Sequence, residues 1–226
     1  MKEKIKTWKP DFNEFTYGKA LIMSEDYSKT IQENPKIHYR ALLYSVLSHR
    51  EKFKQHKRQF NEFLSNNLQT AESIMKNKEK VEEILKNYGF SNRKIPMVFS
   101  TAEQWKGLNL TEKIRDDKIK DLGFLLREEI VEKMSGVGYK FASLFLRMSG
   151  YENIVPVDTW AIKYVESKGF KERYKDTFGL KPNQYLKYEK KLTEHSKKFN
   201  VSPALFQATI YAKFSTWKKD SGIIKY

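Results

Sequence analysis

Residues 134–160 read MSGVGYKFASLFLRMSGYENIVPVDTW. The stretch begins as the end of one helix, turns through Gly136-Val137-Gly138, and resumes as a second, largely apolar helix. It closes on Pro156-Val157-Asp158. Ile130, Met134, Val137, Ala142, Leu144 and Phe145 fall at the spacing of two helices packed as a hairpin, with small Ala142 set against the turn. Glycines there let the backbone turn sharply and come close to a phosphate. The amides opening the second helix can then donate to its oxygens. An ordinary helical hairpin with a glycine cap would read in much the same way. The charge balance favours the phosphate reading: 43 Lys plus Arg stand against 28 Asp plus Glu, a net +15. Such an excess points to an anionic partner, most often nucleic acid.

Lys140 is the lone lysine of the apolar second helix, in its first turn. The helix dipole and partial burial both oppose a positive charge there, so its pKa should fall. An amine unprotonated near neutral pH is a nucleophile. The alternative is a lysine that packs its stem and reaches a phosphate with its tip. Asp158, just before Thr159-Trp160, is well placed to cap the next helix. A capped carboxylate has a fixed direction, and could also steer protons and stabilise a developing sugar cation.

The rest of the chain reads as mostly helical. Residues 37–64 show helical spacing interrupted at Ser48-His49-Arg50, and Thr70–Asn87 reads as one amphipathic helix stopped at Tyr88-Gly89. Residues 110–134 alternate charge and apolarity at helical period, and Pro182 and Pro203 open two late helices. Only IPMVFS (95–100) and NIVPV (153–157) have any strand character. His49 and His56 lie two turns apart among lysines and are expected at the surface or facing DNA. The expected fold is all-α, with two helical subdomains flanking a DNA-binding cleft. Residues 35–154 form one subdomain, ending in the hairpin. Residues 1–34 and 155–226 form the other, carrying Asp158.

No cysteine is present. That excludes disulfides, thiolate zinc sites and cysteine-ligated iron–sulfur clusters. No apolar run approaches the ~20 residues that span a bilayer, and the N-terminus lacks a signal-peptide core. An intracellular chain without membrane association is expected.

The hairpin MSGVGYKFASLFL with VPVDTW resembles the helix-hairpin-helix DNA glycosylase superfamily, whose pattern is L-x-G-V-G-x-K-x-A followed by P-V-D. The resemblance implies that Lys140 is the catalytic lysine of the bifunctional glycosylase/lyases and Asp158 the family aspartate. It implies DNA contacts from Gly136, Val137, Gly138 and Tyr139. The LLYSVLSHR helix extends it more weakly, with Ser48, His49 and Arg50 in the turn that fills the vacated stack or faces the opposite base. Arg50 is equally suited to an orphaned cytosine or to a phosphate.

The missing cysteines set aside the cluster-bearing branch, and the chain is most similar to the archaeal 8-oxoguanine branch. LFQATIYAKF is similar to the helix that lines the damaged-base pocket there, with Gln207 and Tyr211 on one face; a helix packing its aromatic into the core would look alike. Leu144 and Trp160 join the candidate pocket residues. Trp160 is also a departure, since eukaryotic members often carry a phosphate-holding histidine at that position.

The implied activity is excision of 8-oxoguanine from duplex DNA through a lysine Schiff base followed by β-elimination. No metal or other cofactor is required, the partner is duplex DNA with a damaged base, and a monomer is expected. A different lesion (an oxidised pyrimidine or a mispaired base), or a non-catalytic hairpin module, remains open at this level.

Overall fold

A computed structural model describes residues 7–10, 15–19, 21, 38–115, 123–170 and 180–215. Among them no strand occurs, and the chain is all-α as expected. It divides into two compact units, Asp26–Tyr151 and Met1–Glu25 with Glu152–Tyr226. The expected subdomain boundary at residues 34 and 35 lies outside the described residues.

The first unit holds α1 (His38–Leu47), α2 (Phe53–Ser65), α3 (Ala71–Lys76), α4 (Lys78–Lys86), α5 (Ser91–Gly107), α6 (Leu110–Arg115), α7 (Gly123–Lys133) and α8 (Tyr139–Met148). Nine of the ten residues of α1 are buried. A helix apolar on all sides is the core element, and α1 packs against both α5 and α8. The break after α1 falls at Ser48–Arg50, as the spacing suggests.

Two expectations need correction. The stretch Thr70–Asn87 is two helices, because Asn77 leaves helical geometry at φ −122°, ψ 43° and serves as both the end of α3 and the start of α4. Ile74, Val81, Ile84 and Leu85 are nonetheless all buried, so the apolar pattern runs through the break unmarked. IPMVFS lies inside α5, not in a strand. Pro96 removes one helical N–H, but Met97, Val98, Thr101 and Ala102 bury one continuous face.

The second unit holds α9 (Thr159–Ser167), α10 (Pro182–Lys197) and α11 (Pro203–Phe214), with both prolines at helix starts. Trp8 packs edge-on between Tyr164 and Phe214. In the NIVPV segment Asn153 lies in a turn and Ile154–Val157 has no regular secondary structure, pairing with no strand among the described residues. Its backbone is satisfied by α10 instead: Glu189 accepts from Val155 N at 3.2 Å, and the Tyr185 hydroxyl donates to Val155 O at 2.8 Å and accepts from Val157 N at 3.0 Å. Buried backbone groups need partners, and here side chains supply them, delivering Asp158 to the start of α9.

Candidate functional site

The two hairpin glycines differ in role. Gly136 has φ 80°, in the left-handed region that favours glycine, and a Cβ there would lie 2.6 Å from Met97 Cγ. Gly138 has an ordinary φ of −87° and nothing within 4 Å of where its Cβ would be. The first glycine makes the turn; the second leaves the approach to the start of α8 open. Val137 is buried and donates to Met134 O at 3.0 Å, and Ala142 is fully buried beneath the turn. Tyr139 is held by its hydroxyl on Glu128 and by the Arg127 guanidinium, 5.2 Å above its ring.

Lys140 is half-buried in the first turn of α8, its Nζ 5.3 Å from the centre of the Phe141 ring. His49 packs against the same Phe141 ring and against Phe90. Burial, and then the charges of Lys140, Arg50, Arg93 and Lys94, push its pKa down to about 4, so it is neutral in a cationic cluster. His56 is not a surface residue. It is buried beside Tyr44, and its Nε2–H donates to Tyr44 O at 2.8 Å. Burial holds its pKa down to about 3. The sequence pattern failed there because lysines flank His56 on either side while its own helical position faces inward.

The turn after α1 is built tightly. Ser48 Oγ donates to Ser45 O at 2.6 Å, and exposed Arg50 adopts φ 54°. Its guanidinium sits 5.6 Å over Phe90, which has φ 62° and is 42% exposed. The neighbouring Glu51 accepts from the wholly buried Lys94 Nζ at 2.8 Å, and Gln59 Oε1 accepts from the same amine at 2.9 Å. Sequence reasoning missed Phe90 and Lys94. The only trace of Phe90 was the helix stop at Tyr88-Gly89, and Lys94 is one lysine among many.

In the other unit Asp158 caps α9. Its Oδ1 accepts from Trp160 N and Ala161 N, both at 2.8 Å. Its Oδ2 accepts from Gln207 Nε2 at 3.0 Å. Gln207 is buried in α11 and Tyr211, one turn on, is half-buried. The half-buried Trp160 ring stacks on Phe214, with Lys163 Nζ 4.6 Å above it. Asp158, Trp160 and Gln207 therefore form one cluster. Lys140, His49 and Arg50 gather in the first unit, where Leu144 lies buried in α8. The first unit thus carries an amine at a helix start directly after an open glycine turn, and the second carries a directed carboxylate. An unprotonated amine can add to an electrophilic carbon, and an open turn at a helix start admits a phosphate.

Among the described residues, no helix is long and apolar enough to cross a membrane.

A family model described as 8-oxoguanine DNA glycosylase matches residues 22–201. A relative from Picrophilus torridus, named 8-oxoguanine DNA glycosylase/AP lyase, is 28% identical over 131 residues, covering 58% of each chain. One of the same name from Aquifex aeolicus is 27% identical over 154 residues, covering 65% of this chain and 63% of the relative. The chain thus spans about six tenths of the length of these two relatives. The fold is similar to the crystal structure of the 8-oxoguanine DNA glycosylase of Thermotoga maritima, with TM-score 0.68 and 21% identity over 87% of this chain and 89% of that one. It is also similar to the Methanocaldococcus jannaschii 8-oxoguanine glycosylase/lyase in complex with 15mer DNA containing 8-oxoguanine. There the TM-score is 0.70 at 20% identity, over 99% of both chains.

Proposed function

This chain belongs to the 8-oxoguanine DNA glycosylase family, and from that membership we propose that it is a bifunctional DNA glycosylase/AP lyase acting on 8-oxoguanine in duplex DNA. The observation that carries the reading is Lys140 in the first turn of α8, directly after the Gly136–Gly138 turn. DNA phosphate docks at that turn through Gly136, Val137, Gly138 and Tyr139, without base readout. Ser48, His49 and Arg50 face the duplex, with the exposed Phe90 ring beside Arg50 available to fill a vacated stack. The damaged nucleotide leaves the helix. Gln207, Tyr211, Trp160 and Leu144 form the base-recognition set.

Lys140 Nζ, unprotonated, forms a bond to the sugar C1′ as the bond from C1′ to the base breaks; the bonding pair leaves with the base, which takes up a proton from solvent. Asp158 stabilises the positive charge developing on the sugar. A proton then passes from nitrogen to O4′ as the C1′–O4′ bond breaks, giving the ring-opened iminium. A proton is then lost from C2′ and the C3′–O bond breaks, which cuts the strand. The protein acts as a monomer, and neither a metal nor a redox cofactor enters these steps.

Borohydride trapping tests the reading. With a duplex carrying 8-oxoguanine opposite cytosine, the wild-type protein is expected to give a covalent complex, and Lys140→Gln none while still binding the duplex. Trapping on an oxidised-pyrimidine or mispaired duplex alone would reassign the lesion. Binding without trapping on any lesion would reduce the protein to a binding module.

A further inference from the structure

Gln207 has a second use beyond facing a base. We infer that Gln207 is a positioning residue for Asp158, fixing the plane of its carboxylate for the base-displacement step; the inference rests on the glycosylase reading above. Asp158 Oδ1 is anchored by two backbone amides at the start of α9. Turning the carboxylate about its Cβ–Cγ bond would stretch these two bonds as well as move Oδ2, so both oxygens report on its plane. The Gln207 Nε2–H bond to Oδ2 at 3.0 Å adds a side-chain donor on the second oxygen and resists the same rotation. The assignment of the amide nitrogen to this contact follows from chemistry, because a carboxylate oxygen needs a donor and the other end of the amide is an acceptor.

The amide is itself well held. Gln207 is 1% exposed, and its helix is capped by Ser202 Oγ, which accepts from Leu205 N at 3.3 Å. The first turn of α11 is tied further by Ala204 N donating to Glu152 O at 3.0 Å. A charge developing on the sugar is stabilised most by a carboxylate already oriented towards it, since no reorganisation is then needed. Small misplacements of such groups cost roughly a hundredfold in rate.

The plain competitor is a hydrogen bond that merely joins α9 to α11. Two substitutions separate the readings in single-turnover excision at saturating enzyme. Gln207→Leu keeps the volume and removes the donor. It is expected to slow excision at least about tenfold at every pH under saturating enzyme, with affinity for undamaged duplex, which presents no flipped base to Gln207, kept within about twofold. Gln207→Glu has the shape of glutamine and can donate only while protonated. Two adjacent carboxyls share a proton, so its rate should approach wild type at the acid end of the profile and fall as pH rises and that proton is lost. Wild type run alongside should not show this fall.

An unchanged Gln207→Leu rate overturns the inference. A loss confined to affinity overturns it in favour of base contact. A Gln207→Glu profile parallel to wild type overturns it in favour of mere helix joining, and this variant decides the matter if the leucine protein does not fold. If the wild type excises nothing, the glycosylase reading fails first and the positioning role falls with it.

Discussion

At Gly136 and Gly138 one motif divides into two physical jobs. Alanine at Gly136 meets both a left-handed φ of 80° and Met97 Cγ at 2.6 Å. It should destabilise the protein by about 1–3 kcal/mol, visible as a lower melting temperature. Alanine at Gly138 meets neither obstacle, with φ −87° and open space. Its stability should change by less than about 0.5 kcal/mol, while affinity for undamaged duplex falls because the methyl group occupies the phosphate approach. Unchanged duplex affinity in Gly138→Ala would show that the hairpin does not face DNA. The spacing of the glycines is legible in the sequence. Which one turns the chain and which one keeps it open depends on Met97, thirty-nine residues before Gly136.

The segment from Ile154 to Val157 shows how an element can be set by side chains of another. Its β-branched residues suggest a strand, but Tyr185 and Glu189 of α10 take the hydrogen bonds that a ladder would have taken. Tyr185→Phe should leave Val157 N–H and Val155 C=O without this partner. The expected loss is about 2 kcal/mol, read by urea unfolding; no change would mean that the backbone finds other partners at no cost. The same logic explains α5, where Pro96 costs one hydrogen bond while five buried residues hold the helix. Local propensity loses to packing in both places.

For the whole molecule, the buried histidines make stability depend on pH. His56 has its pKa lowered from 6.5 to about 3, chiefly by burial. Above pH 6.5 both folded and unfolded states leave it neutral, so it exerts no pH effect. As pH falls below 6.5 the unfolded chain takes up a proton that the folded one refuses, and stability drops. His56 alone should remove about 2 kcal/mol between pH 7 and 5. His49 and His195, both also lowered, act in the same direction. Melting temperatures at the two pH values check this: His56→Leu should show a shallower pH dependence even if it is less stable at pH 7, and an unaltered slope would sink the assignment.

The helical periodicity, the glycine hairpin, the lysine that follows it and the Pro-Val-Asp segment are all readable from residue types and spacing, because each is a local feature whose chemistry is fixed within a turn or two of chain. The net charge of +15 and the absence of cysteine are properties of composition and need no fold. What only the tertiary structure decided are contacts between residues far apart in sequence. Gln207 reaches Asp158 across forty-nine positions, Lys94 reaches Glu51 across forty-three, and Tyr185 reaches Val157 across twenty-eight. His56 is likewise turned inward although Lys54, Lys57 and Arg58 stand within two residues of it in sequence. A periodic pattern reports which face of a helix is apolar. It carries no record of which polar atom on another element that face will meet, and this pairing orients the carboxylate and shapes the turn at Arg50.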